Sequence, residues 1–247
     1  MHALSGTTST PILGTGNGFH PGQIALGSNA MALREIPLVL DPTGISEEVA
    51  SFLVEAEKRC DEFFDAGLNR RYPRYLPSNP ENVFAALRHL KDSGHLRGDL
   101  FCEWGSGFGI ATCLAALLGF EAYGIEIEAE LAERSAQLAR DLGILVEILC
   151  TSYLPEGYEE CEGVGGKDLL KPEATSFGEA AFAPVYDGLD PGEVDLFFVY
   201  PWPGQESFMM ELFEELATED AILLIHHADK SVTAYRREYD DEESFKI

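Results

Sequence analysis

The chain has 247 residues, an apolar fraction of 45% and a formal net charge of −26. This length and apolar content suffice for one large domain with a full hydrophobic core. The acidic charge disfavours a nucleic-acid partner, because affinity for phosphate backbones depends on Lys and Arg, and it suits a small-molecule substrate or a basic protein partner. The alternative explanation of the charge is that the acidic surface only maintains solubility.

The sequence shows no recognisable segment for membrane insertion, export or metal binding. No apolar run reaches the roughly 18–20 residues that span a bilayer. The first residues lack the basic start and apolar centre of a signal peptide. The five cysteines are scattered, with no C-x-x-C pair and no histidine at metal-ligand spacing. We therefore expect a cytoplasmic protein without membrane association and without a metal.

Three regions are predicted along the chain. Residues 1–30 are rich in Gly, Ser, Thr and Pro, which is typical of a flexible tail. Residues 31–98 are predicted to pack on the core as an N-terminal extension with a short strand and two helices, one over 46–66 and one starting at Asn79. Residues 99–247 form the predicted core.

Strand-like and helix-like patterns alternate in the core. The predicted strands cover 99–104, 121–127, 146–150, 194–200 and 221–225. This alternation predicts an α/β fold with a doubly wound, mostly parallel sheet and helices on both faces. The acidic insertion at 155–193 fits a lid or a disordered segment equally. After the fifth strand only 231–239 could add another, so the C-terminal end looks shortened.

A glycine turn follows the first core strand. Glu103 ends the strand, glycines occupy positions 105, 107 and 109, and Glu126 closes the next strand. The Gly-Lys-Ser/Thr ending of a phosphate loop is absent, and Gly109 falls one residue early for the dinucleotide pattern G-x-G-x-x-G. Glu103 would repel a pyrophosphate but suits a ligand with an amino group. The turn therefore favours a nucleoside without phosphate, and disfavours an NAD-dependent dehydrogenase.

The run from Glu103 to Gly109 resembles motif I, E-x-G-x-G-x-G, of the class I S-adenosylmethionine-dependent methyltransferases. The resemblance covers about 75–228. It implies that the turn contacts the methionine part of the cofactor, that Glu126 binds the ribose hydroxyls, and that Ser152 takes the adenine-binding position where an Asp is common. The implied cofactor-binding residues are Tyr75, Ser78, Glu103, Gly105, Ser106, Gly107, Gly109, Glu126, Ile127 and Ser152.

The segment Tyr200-Pro-Trp-Pro203 resembles the Asn/Asp-Pro-Pro-aromatic motif of amino-methylating enzymes, with Tyr200 in place of the amide or acid. This implies that Tyr200 and Trp202 place the methyl acceptor. The family usually ends in two antiparallel strands, and this chain has room for about one. His226 and His227 end the fifth strand. A structural role and a role as general base both remain as alternatives for them.

The layout is similar to that of small protein-lysine methyltransferases. It implies transfer of a methyl group from S-adenosylmethionine to a basic protein side chain or a small amine. Two alternatives stay open: a small-molecule O-methyltransferase, and a non-catalytic module that binds S-adenosylmethionine or a protein partner.

Overall fold

The computed structural model describes residues 31–41, 43–154, 159–163, 166–170, 186 and 188–239. The predicted tail at 1–30 and most of the insertion predicted as a lid or disordered segment lie outside the described residues. The helices are α1 (Glu47–Asp65), α2 (Pro80–Asp92), α3 (Ile110–Leu117), α4 (Ala129–Leu142) and α5 (Glu206–Leu216). The strands are β1 (Met31–Ile36), β2 (Leu100–Trp104), β3 (Glu121–Ile125), β4 (Glu147–Leu149), β5 (Glu159–Gly163), β6 (Gly166–Leu170), β7 (Leu196–Val199), β8 (Ile222–His226) and β9 (Val232–Tyr239).

Seven strands form one sheet in the order β1-β9-β8-β7-β2-β3-β4. Five neighbouring strands run parallel to one another, namely β8, β7, β2, β3 and β4. β9 is antiparallel to β8, and β1 is antiparallel to β9. Buried residues of α1, α2, α3 and α4 pack on one face of the sheet, and those of α5 pack on the other. The prediction of a doubly wound, mostly parallel sheet with helices on both faces is confirmed.

The two antiparallel strands at one edge come from opposite ends of the chain. β9 is the single strand predicted at 231–239. Its outer partner is β1, in a register that runs from Met31 opposite Tyr239 to Ile36 opposite Ala234. The N-terminal region thus supplies a strand at the shortened end. The predicted boundary between an N-terminal extension (31–98) and a core (99–247) stays a prediction. The sheet crosses this boundary, because β1 lies before it and the other six strands lie after it.

Local signals explain where the helices begin. The Ser46 hydroxyl accepts a hydrogen bond of 3.2 Å from Val49 N at the start of α1. Asn79 Oδ1 accepts one of 2.8 Å from Asn82 N at the start of α2, where Pro80 takes the first helical position. Across the described ranges, none of these helices combines the length and apolarity needed to cross a bilayer.

β5 and β6 form a separate antiparallel hairpin inside the acidic insertion. These strands were not predicted from the sequence. The first of them reads Glu-Glu-Cys-Glu-Gly, which lacks the alternation of apolar and polar residues by which a half-buried strand is recognised.

Candidate functional site

A cavity of about 570 Å³ lies at the carboxyl ends of the parallel strands. Ligands of doubly wound sheets bind at this edge, and the volume is typical of a small-molecule site. Every predicted site residue except Gly109 lines the cavity. The lining residues among them are Tyr75, Ser78, Glu103, Gly105, Ser106, Gly107, Glu126, Ile127, Ser152, Tyr200 and Trp202. The sequence therefore located the cavity, while the function of each residue stays a prediction.

The turn after β2 is held against β3. The backbone N–H groups of Gly105 and Ser106 both donate to Ile125 O, at 2.9 and 2.8 Å. Gly107 has a φ of +53°, and a Cβ added there would lie 2.6 Å from Cε2 of Tyr75. Only glycine fits this position without displacing the ring that covers the turn.

Gly109 has a different position from the one expected. It precedes α3 with a φ of +65°, and a Cβ added there would lie 2.0 Å from Oγ of Ser135. Ser135 belongs to α4, so this glycine allows α3 and α4 to approach each other. Close helix packing explains the glycine, and it places the residue outside the cavity.

Glu126 connects the end of β3 to the glycine turn. Its Oε2 accepts a hydrogen bond of 2.8 Å from Gly107 N, and its Oε1 accepts one of 2.8 Å from Glu128 N. Burial raises the pKa of Glu126, and the backbone N–H donors partly oppose the shift. A carboxylate oxygen has two acceptor sites, so each Glu126 oxygen can accept a further hydrogen bond from a ligand hydroxyl.

Glu103 is a second buried carboxyl group beside the turn. Its Oε2 accepts hydrogen bonds from Thr112 N at 2.9 Å and from Thr112 Oγ1 at 2.6 Å. Burial raises the pKa of Glu103 to about 8, against the opposing effect of the Thr112 donors. At neutral pH the group is mostly protonated, and a cation bound nearby would favour its ionised form.

An aromatic cluster supports the wall next to the turn. The Tyr75 ring lies 5.1 Å from the Phe108 ring, 5.7 Å from Phe63 and 6.0 Å from Phe64, measured between centroids. Its hydroxyl lies 3.4 Å from Cys60 Sγ, and burial raises the pKa of Tyr75 far above its usual value. Tyr75 is therefore a neutral wall residue held by α1, a support that the sequence analysis missed.

Tyr200 and Trp202 lie just beyond β7. The Tyr200 ring meets the His226 ring edge to face at 4.5 Å, while Trp202 is 38% exposed at the cavity mouth. His226 is 1% exposed, and its Nε2 accepts a hydrogen bond of 3.1 Å from Asn79 N. Burial lowers the pKa of His226 to about 4. It is a neutral histidine behind Tyr200, outside the cavity lining, which favours the structural interpretation.

Several further lining residues were not predicted. Tyr153 and Leu154 follow Ser152, whose hydroxyl accepts a hydrogen bond of 3.1 Å from Leu154 N. Gln205 and Met209 come from the start of α5, and Arg74 precedes Tyr75. The α5 residues could have been found, because the helix after a parallel strand begins at the ligand edge of the sheet. Arg74 and Tyr153 had no such signal.

No family model matches the sequence, and no curated protein matches it either. Several solved structures show partial similarity to this chain. An RNA methyltransferase from Salinibacter ruber in complex with S-adenosyl-L-homocysteine has 17% identity and a TM-score of 0.44, covering 67% of this chain and 95% of its own. Magnesium protoporphyrin IX methyltransferase from Synechocystis PCC 6803 with bound SAM has 16% identity and a TM-score of 0.40, with coverages of 74% and 76%. A SAM-dependent methyltransferase from Thiobacillus denitrificans has 18% identity and a TM-score of 0.38, with coverages of 64% and 53%.

Proposed function

We propose that this chain is an S-adenosylmethionine-dependent methyltransferase. The observation that carries the proposal is the pairing of two buried carboxyl groups, Glu103 and Glu126, on either side of one glycine turn in a single cavity. A nucleoside that carries positive charge and no phosphate matches this arrangement. Carboxylates attract its cationic groups and accept hydrogen bonds from its ribose.

The charge of the lining supports this ligand over a phosphorylated nucleotide. Glu103, Glu126 and Glu128 all line the cavity. A bound pyrophosphate would oppose the ionisation of these groups, whereas a bound cation would favour it. S-adenosylmethionine has a sulfonium and an ammonium group, and both are stabilised by nearby carboxylates.

The proposed cofactor contacts follow from the position of each residue. Glu126 would bind the ribose hydroxyls, and Ile127, which is 60% exposed, would offer an apolar surface to adenine together with Ser152. Glu103 and the turn at 105–107 would hold the methionine part. Tyr75 and Ser78 would close the wall on the side of α2.

Catalysis by these residues would depend on positioning and the exclusion of water. When bound, S-adenosylmethionine supplies a methyl group that passes to a lone pair of the acceptor as the S–C bond breaks, leaving S-adenosylhomocysteine. Tyr200 and Trp202 would orient the acceptor beside that methyl group. An ammonium acceptor would first lose a proton to solvent, which frees the lone pair that takes the methyl group.

For the acceptor we propose an amine, either a small molecule or a basic protein side chain. Trp202 and Tyr200 support this choice, because aromatic faces attract cations by cation–π interaction. The net charge of −26 attracts the same class of acceptor. O-methylation of a small molecule is the second candidate, because Tyr200 supplies a hydroxyl where amino-methylating enzymes have an amide or acid.

Transfer of a radiolabelled methyl group from S-adenosylmethionine into a fractionated lysate tests the activity and identifies the acceptor. We expect label in an amine-containing fraction and an equal amount of S-adenosylhomocysteine. Label bound to oxygen would favour the second candidate. Cofactor binding without any transfer would contradict the enzyme and favour a non-catalytic module.

A further inference from the structure

Arg74 is a cation in the lining of a cavity that Glu103, Glu126 and Glu128 also line. It is exposed and lines the cavity. Within the part of the chain that the structure describes, its side chain makes no ion pair or hydrogen bond, and the same holds for the exposed Arg70. The chain has 43 acidic residues and 17 basic ones, so partners are plentiful. An arginine left free beside a cavity is available to bind an anion of a ligand.

The turn that carries Arg74 is held by Glu130 on α4. Glu130 pairs with Arg134 at 2.8 Å and with Arg71 at 3.5 Å. It also accepts a hydrogen bond of 2.8 Å from the Tyr72 hydroxyl. Arg74 is not among these partners of Glu130.

The backbone fixes Arg74 at the rim. Tyr72 to Tyr75 form a turn closed by a hydrogen bond of 2.9 Å from Tyr75 N to Tyr72 O, with Pro73 at its second position. Proline is favoured there because its φ is preset. Tyr72 is anchored to Glu130 and Tyr75 to the aromatic cluster, so both ends of the turn are held. Pro73 and Arg74 lie between them and are both exposed, and Arg74 is the charged one.

We propose that the methyl acceptor carries an anionic group, a carboxylate or a phosphate, and that Arg74 binds this group at the cavity mouth. The inference rests on the proposed function and narrows its acceptor to a small molecule with both an amine and an anion. A target lysine within a basic protein segment would bring no anionic group to pair with Arg74. Arginine suits the contact because its planar guanidinium forms paired hydrogen bonds with carboxylate and phosphate oxygens.

The proposal assigns the anion to the acceptor rather than to the methionine carboxylate of the cofactor. The Tyr75 ring lies against Gly107, where an added Cβ would meet it at 2.6 Å. Arg74, the residue before Tyr75, is exposed to solvent. Trp202 and the 47% exposed Leu76 line the same cavity as Arg74. The proposal places the amine of the acceptor at Trp202 and its anion at Arg74.

Calorimetry with inorganic phosphate as probe tests the contact in protein saturated with S-adenosylhomocysteine. We expect wild type to bind phosphate, and Arg74→Gln to weaken this binding about tenfold, as loss of one charge-assisted contact predicts. Arg74→Lys should restore part of the affinity. Arg140→Gln is the control, since Arg140 is exposed, pairs with Glu133 and lies outside the lining. It should bind phosphate as wild type does.

A second titration separates the two sources of the anion. S-adenosylhomocysteine carries the methionine carboxylate, and 5′-methylthioadenosine lacks it. We expect Arg74→Gln to bind both as tightly as wild type does. Weaker binding of S-adenosylhomocysteine alone would overturn the proposal by assigning Arg74 to the cofactor. Equal phosphate affinity in wild type and Arg74→Gln, or no phosphate binding in wild type, would also overturn it. If the proposed function itself is wrong, wild type will not bind S-adenosylhomocysteine, and this result differs from every outcome named above.

Discussion

Glu126 Oε2 accepts a hydrogen bond of 2.8 Å from the backbone N–H of Gly107. One residue follows β3 and the other lies in the turn after β2, so the bond connects neighbouring strand ends at the ligand edge. A second bond, from Glu128 N to Oε1, holds the other oxygen. The carboxylate is therefore positioned before a ligand arrives, which reduces the ordering cost of binding.

Gly107→Ala should weaken binding of S-adenosylhomocysteine at least about tenfold, because the new methyl group displaces the Tyr75 ring that it would meet at 2.6 Å. Gly94→Ala is the matched control. Gly94 also has a left-handed φ, +69°, but among the described residues no atom beyond its chain neighbours lies within 4 Å of its added Cβ. Both variants should lose about 1 kcal/mol of stability from backbone strain. Equal ligand affinity in the two variants, measured by calorimetry, would contradict the importance of the Tyr75 contact.

Binding of S-adenosylmethionine should strengthen as the pH rises towards about 8. Burial raises the pKa of Glu103 to about 8 in the free protein, and a bound cation lowers it again. Below this pH, binding therefore releases protons. Calorimetry in buffers of different ionisation enthalpy measures the release, and Glu103→Gln should reduce it. If Glu103→Gln releases as many protons on binding as wild type does, a group other than Glu103 titrates.

His226→Phe should destabilise the fold by about 1 kcal/mol at neutral pH, because the part-buried Asn79 N–H loses its acceptor. The pKa of His226 is about 4 in the folded protein against 6.5 for an ordinary histidine, so the unfolded chain binds more protons between these values. The contribution of neutral His226 to the free energy of unfolding is therefore fully present above pH 6.5 and is lost as the pH falls to 4. Denaturant unfolding at several pH values should show a weaker acid dependence in the variant. An unchanged dependence would contradict a buried neutral His226.

Trp202→Ala should raise the KM for an amine acceptor about two- to fivefold, the loss expected for an exposed cation–π contact. The affinity for S-adenosylhomocysteine should stay at the wild-type value, because Trp202 is placed on the acceptor side. Steady-state kinetics and calorimetry on the same variant separate the two effects. A large fall in cofactor affinity would place Trp202 in the cofactor site instead.

The glycine turn and its acids could be predicted because their signal is local. Glu103 lies at the carboxyl end of β2 and Glu126 directly follows β3. Because these strands are parallel neighbours, topology alone brings both residues to one edge. The partner of β9 could not be predicted, since β1 lies at the other end of the chain and pairing between distant segments leaves no mark in periodicity. Arg74 was missed for a related reason. Its place at the rim depends on what Glu130 and the aromatic cluster contact, which only the folded chain defines.

The most direct test of the cofactor site is calorimetry of S-adenosylhomocysteine with wild type, Glu126→Ala and Glu133→Ala. Glu133 is an exposed carboxylate on α4, outside the cavity, and controls for lost charge. We predict binding to wild type and to Glu133→Ala, and affinity about a hundredfold weaker for Glu126→Ala, because two hydrogen bonds from ribose to a charged group are lost. Full affinity in Glu126→Ala, or none in wild type, would contradict the proposed site.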